Sequence, residues 1–213
     1  IRDWSVTGVQ TCALPILPLL AVVSKPQLDG FTPKDLSIFL YSLGKLQYED
    51  HVGFLPRMLQ RLEDIVPKVE TPQQASNIAW AFVKLRIDPS LLISLLEKLQ
   101  VWSLENLEDF KTVELASFVY SLLQLRFLPS DAFMEKLGNF CASRNQSLAF
   151  TEIAMLLGAC ADVGHAPSSL LDALDTVEGD DLGEKPLTNT MMILWSLAML
   201  DRITPDRMRW AVQ

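Results

Sequence analysis

The chain has 213 residues, a formal charge of -8 from 18 Lys/Arg and 26 Asp/Glu, 49% apolar residues and only 3 Cys. That apolar share excludes a disordered chain, so few cysteines exclude a disulfide scaffold, and the acidic balance removes any global basic field of the kind that advertises nucleic-acid binding. The length allows a sizeable core, as one domain or as an array of repeats.

Residues 1–16, IRDWSVTGVQTCALPI, resemble a translated sequencing adapter: VTGVQTCALPI at 6–16 is the translation of a common short-read adapter string. They are set aside from fold reasoning as a scar is. The apolar run 11–23 imitates a targeting signal, but it is shorter than the roughly 20 residues a spanning helix needs, and Pro15 and Pro18 break it. It is read neither as a signal peptide nor as a transmembrane segment. Residues 17–30 read as the end of a preceding repeat and a linker, with 17–24 as the tail of an earlier second helix.

From residue 31 the sequence repeats itself. PKDLSIFLYSLGKL, PQQASNIAWAFVKL, TVELASFVYSLLQL, FTEIAMLLGACADV and LTNTMMILWSLAML end at Leu46, Leu85, Leu125, Val163 and Leu200, a drifting period of about 38 residues. Within each line the spacing is helical; Leu36, Phe39, Leu40, Leu43 and Leu46 make one apolar face. Thr32-Pro33 and Thr71-Pro72 supply an N-cap hydroxyl followed by a proline at the first helical position. Second helices are expected over 52–66, 90–104, 130–144 and 168–177. The units are 31–70, 71–108, 109–147, 148–186 and a truncated 187–213. Neither end carries a polar cap, so the expectation is an interior piece of a longer array.

Two columns recur. Tyr41, Trp80, Tyr120 and Trp195 are aromatic, with Gly158 interrupting, and the next residue is always small: Ser42, Ala81, Ser121, Ala159, Ser196. Regularly spaced rings read as packing between layers rather than as base-stacking surfaces, and the small residues allow close helix approach.

TPQQASNIAWAFVKLRIDP at 71–89 resembles the signature of the octotricopeptide-repeat family, whose units run close to P-Q-x-L-A-N-x-L-W-A-x-A-K-L-x-x-x-P. FTPKDLSIFLYSLGKL at 31–46 and WSLAML at 195–200 are weaker copies, and similar arrays accompany FAST-kinase-like and RAP domains. Unit four departs most, with Gly158 and Cys160 where bulkier residues are usual. The resemblance implies an all-α fold, an α-solenoid with a right-handed superhelix. It also implies sequence-selective binding of single-stranded RNA in organellar RNA processing, stability or translation, in a mitochondrion or chloroplast.

Positions 35, 38, 42 and 45 fall on one stripe of the first helix, and the same stripe recurs: Gln74, Asn77, Ala81 and Lys84 in unit two, Glu114, Ser117, Ser121 and Gln124 in unit three, Glu152, Met155, Ala159 and Asp162 in unit four, Asn189, Met192, Ser196 and Met199 in unit five. Variable amides and hydroxyls on a constant scaffold are what base reading requires, with lysines available for phosphates. The expected RNA-binding residues are Lys45, Gln73, Gln74, Asn77, Lys84, Arg86, Ser117, Gln124 and Arg126, the motif match being closest at Gln73, Gln74, Asn77 and Lys84. The same pattern is also that of an ordinary solvated helix face, where a C-terminal lysine suits the macrodipole.

Residues 17–147 carry net -2, residues 148–186 net -7 and residues 187–213 net +1, so RNA is expected along units one to three and away from the acidic loop 178–184. That loop lacks the ligand spacing of a calcium site. Cys141 and Cys160, nineteen apart in apolar helical patterns, read as core, and with His51 and His165 in loops they compose no zinc set. No phosphate loop, dinucleotide fingerprint or nucleophile elbow occurs. The reading is non-catalytic, with no metal, no cofactor and no membrane. The competing expectation is a protein-interaction scaffold of the same fold, binding along its concave face; the acidic balance and the Met192 and Met199 stripe favour it.

Overall fold

The structure is a computed structural model and describes residues 25–49, 53–144, 148–175 and 186–212. The adapter-like stretch, the expected helix tail at 17–24, His51 and the acidic loop 178–184 lie outside the described residues.

Ten α-helices and no strand occur among the described residues: α1 Pro33–Lys45, α2 Phe54–Ile65, α3 Pro72–Lys84, α4 Ile93–Glu105, α5 Thr112–Gln124, α6 Asp131–Ser143, α7 Phe150–Val163, α8 Ser168–Asp175, α9 Leu187–Met199 and α10 Pro205–Val212. Short 3-10 turns stand at Lys25–Gly30, Val66–Lys68, Pro89–Leu91 and Leu107–Asp109. The odd-numbered helices form a row in which α1 packs on α3, α3 on α5, α5 on α7 and α7 on α9. The even-numbered helices form a second row, densest where α6 meets α8. Between the rows lies one apolar core, to which the i, i+3, i+4 faces of the first helices give Leu36, Leu40, Ile78, Phe82 and Phe118, and α6 of the even row gives Phe133.

The odd helices end alike. Gln47, Arg86, Arg126, Gly164 and Asp201 all adopt a left-handed backbone, with φ of 51°, 52°, 58°, 76° and 54°. The amide that follows each one returns to the last turn: Tyr48 N–H to Leu43 O, Ile87 to Phe82, Phe127 to Leu122, His165 to Cys160 and Arg202 to Leu197. This closure satisfies carbonyls that would otherwise be orphaned at the helix end. The chain reverses there and enters the even row.

The even row is tied together by its cations. Arg61 donates to the carbonyls of Leu28, Asp29 and Phe31, and Arg144 donates to those of Phe110 and Glu108. Lys98 donates to the Glu63 carbonyl at 3.2 Å and also pairs with the Glu63 carboxylate. Lys136 reaches the Leu104 carbonyl. The bonds of Lys98, Lys136 and Arg144 cross from one second helix to the preceding one or to the segment that follows it, and those of Arg61 reach the Lys25–Gly30 turn and Phe31 ahead of α1. No helix among the described residues is long and apolar enough to cross a membrane.

Candidate functional site

The expected stripe is not uniformly open. Its first position is consumed by capping. The Asp35 carboxylate accepts the Thr32 N–H, Gln74 Oε1 accepts Glu70 N–H, Glu114 accepts Lys111 N–H and Glu152 accepts Ala149 N–H, at 3.1, 3.1, 3.1 and 3.0 Å. These bonds satisfy orphan donors at each helix start. They hold the Asp35 carboxyl below the usual carboxylate range, chiefly through the Thr32 hydroxyl and then its amide. Gln74 is therefore turned into the cap and only 7% exposed, not presented on the open face where the spacing put it. The signal was in the sequence: a polar acceptor three residues after Thr32 and Thr71 is a helix-start signature.

The third position is also closed from unit two onward. Ala81, Ser121, Ala159 and Ser196 are buried, whereas Ser42 is exposed. Ser121 and Ser196 donate to carbonyls one turn back, those of Ser117 and Met192. These small side chains occupy the seam where one odd helix meets its neighbour.

Two stripe positions and the reversal residue remain accessible. Asn77 and Ser117 are half-buried, Gln73, Lys45, Lys84 and Gln124 are exposed, and Arg86 and Arg126 are exposed on their left-handed backbones. The structure brings some of these together. Lys45 Nζ lies 5.4 Å from the Tyr41 ring centroid and 5.2 Å from that of Trp80; Lys84 Nζ lies 5.5 Å from Trp80. The two rings pack at 4.8 Å across the α1–α3 seam. Gly44 makes room for this: a Cβ there would stand 3.0 Å from Trp80 Cζ3 and 3.2 Å from Lys84 Cβ. The aromatic column is thus seam packing, as regular spacing implies, but half-exposed and topped by ammonium groups. The (i, i+4) spacing of Tyr41 with Lys45 and of Trp80 with Lys84 carried that signal. Gln124 stands apart from the cations, its amide donating to Asp162 of the next unit at 3.2 Å.

Lys45, Lys84, Arg86 and Arg126 form no ion pair among the described residues, in contrast to the engaged cations of the even row. Cys141 and Cys160 are buried, and desolvation pushes both thiols up to about 12. No cluster of metal-ligating side chains occurs among the described residues.

The class defined by these features is an all-helical chain whose odd helices stack into a row with an exposed, cation-bearing edge. Over 106 residues, half of this chain, the sequence is 28% identical to a chloroplastic RAP domain-containing protein of Oryza sativa subsp. japonica, and the chain spans 16% of that protein's length. No family model matches the chain.

Proposed function

We propose that the chain binds single-stranded RNA along the exposed edge of its odd helices. In this reading it is a non-catalytic, right-handed α-solenoid of about five octotricopeptide-like repeats, 31–70, 71–108, 109–147, 148–186 and 187–213. Asn77 and Ser117 meet base edges, and Lys45, Lys84, Arg86 and Arg126 meet phosphates. Gln73 contributes from the start of α3, Gln124 reads a base only when released from Asp162, and Gln74 supports Asn77 by fixing the helix start.

The observation that carries the reading is a division of labour among cations: Arg61, Lys98, Lys136 and Arg144 of the even row are spent on backbone carbonyls, while Lys45, Lys84, Arg86 and Arg126, at or just past the ends of the odd helices, are exposed. The likeness of residues 71–89 to an RNA-binding repeat supports the ligand class. Similarity to a chloroplastic protein favours chloroplast over mitochondrion as the compartment in which an organellar transcript is bound.

Titrating the chain against a randomised single-stranded RNA pool at two salt concentrations, with duplex DNA as control, tests this. Submicromolar, RNA-selective binding that weakens with salt is expected. Equal affinity for duplex DNA, or none for RNA by a folded sample, overturns it and moves the weight to a protein partner, a second reading favoured by the apolar Met191, Trp195 and Met199 exposed on α9.

A further inference from the structure

We propose, building on the RNA reading above, that a cavity between units one and two receives one base splayed out of the strand, and that Asp88 selects guanine there. The cavity measures about 510 Å³ and lies between α2 and the segment that runs from the end of α3 into α4. That is the size of a small-molecule site. Its lining comes from two adjoining units and from neither end of the chain.

The walls are aliphatic. Leu55 and Leu59 come from α2, and Ile87, Leu91 and Leu95 from the segment across it. Ile87 and Leu95 are buried, whereas Leu91 is 65% exposed at the mouth. An apolar slot of this kind holds the two faces of an unstacked base, which polar groups then identify by its edge.

Four polar side chains share the lining and differ in what they have left to offer. Glu63 is spent, its carboxylate pairing with Lys98 and accepting the Ser94 hydroxyl at 3.2 Å. Arg86 is the phosphate contact already assigned, so the strand that reaches it passes the mouth. Asp88 and Gln60 are exposed. Asp88 Oδ1 accepts Ser90 N–H at 2.9 Å, which leaves Oδ2 and a lone pair of Oδ1 for a ligand. Hydrogen bonds from Ser90, its amide first, hold this carboxyl below the usual carboxylate range, so it stays an acceptor at neutral pH.

Guanine carries two adjacent donors, N1–H and N2–H, on its Watson–Crick edge, the match to the two oxygens of a carboxylate. Adenine and cytosine set a ring acceptor there, and uracil sets its N3–H between two carbonyls. Gln60 supplies an amide donor for guanine O6. Later units lack the acceptor: Leu128, Ala166 and Ile203 hold the place equivalent to Asp88.

Titrating the full chain with three short, labelled single-stranded RNA pools tests this. One is randomised over all four bases, one over adenine, cytosine and uracil, and one carries inosine in place of guanine. The wild type is expected to bind the first about tenfold more tightly than the second, with the inosine pool, which lacks the N2 amino group, in between. Asp88→Asn keeps an oxygen for Ser90 N–H but loses the two-oxygen acceptor. It is expected to bind all three pools alike, with an unchanged salt slope because Arg86 is intact. Leu59→Trp, which fills the cavity, is expected to lose the preference too, circular dichroism checking that each variant is folded. Equal binding of the first two pools by the wild type, or a guanine preference that survives in Asp88→Asn, overturns the assignment; the RNA reading then stands, and the cavity is left to an apolar side chain of a protein partner. A folded wild type that binds no pool overturns both.

Discussion

Arg86 and Arg126 hold a backbone conformation that costs an L-residue about 1–2 kcal/mol and costs glycine almost nothing. Gly164 occupies the equivalent place in unit four, so the reversal itself does not require an arginine. If the side chain serves RNA phosphates, Arg86→Gly should raise stability by up to about 1 kcal/mol in denaturant titration while lowering the salt slope of RNA binding by about one unit. Lost stability together with unchanged binding would show the guanidinium to be structural. Cys141 and Cys160 answer a different question. Their thiols, raised to about 12 by burial, stay protonated in the fold, whereas unfolded thiols ionise near 9. The unfolded state therefore binds fewer protons above pH 9, so stability that is complete below that pH falls as pH rises toward 12. In a Cys12→Ser background, both thiols should resist alkylation at pH 8 and react only as the chain unfolds; prompt labelling of the native protein would contradict their burial.

The helices illustrate what a single sequence makes legible. The first helix of each unit was expected to end at Leu46, Leu85, Leu125, Val163 and Leu200, and the structure ends it at or one residue before those positions, because apolar periodicity and the Thr-Pro starts act locally. The stripe was harder to read, since helical spacing says which residues share a face but not what covers that face. Gln74 and Ala81 share a stripe with Lys84, yet one closes a cap and the other lies in a seam between helices. The even row shows the same limit: nothing in the α6 sequence announces that Gly138 is a contact point. A Cβ there would fall 1.8 Å from Ser169 Oγ and 2.9 Å from Ser169 Cβ on α8, with the Leu170 backbone nitrogen at 3.3 Å behind. Ser169 has no room to retreat by rotation alone. Gly138→Ala should therefore cost about 1–3 kcal/mol by overpacking, despite alanine's better helix propensity. A variant as stable as wild type in thermal unfolding would mean that α6 and α8 sit further apart.

Across the whole molecule, charge and packing run in opposite senses along the odd row. The edge begins with Lys45, Lys84, Arg86 and Arg126, then meets Asp162, and the reversal residue of unit five is Asp201. The charge count alone located that boundary; the structure adds the contact that enforces it. Gln124, the last polar stripe residue of unit three, donates its amide to the Asp162 carboxylate, so one side chain both repels phosphate and occupies a donor that base reading needs. Two charges about 4 Å apart in water interact by about 1 kcal/mol, less with salt, and a freed amide adds a hydrogen bond of comparable size. Asp162→Ala removes both effects from an exposed helix position without touching the core. RNA affinity should then rise about threefold to fivefold at low salt, and the gain should shrink as salt increases. In the double variant with Gln124→Ala, part of the gain should disappear, since the released amide is no longer present to bind. An affinity that does not move in Asp162→Ala at low salt would place the RNA track away from this edge, and with it the assignment of Lys84 and Arg126 to phosphates.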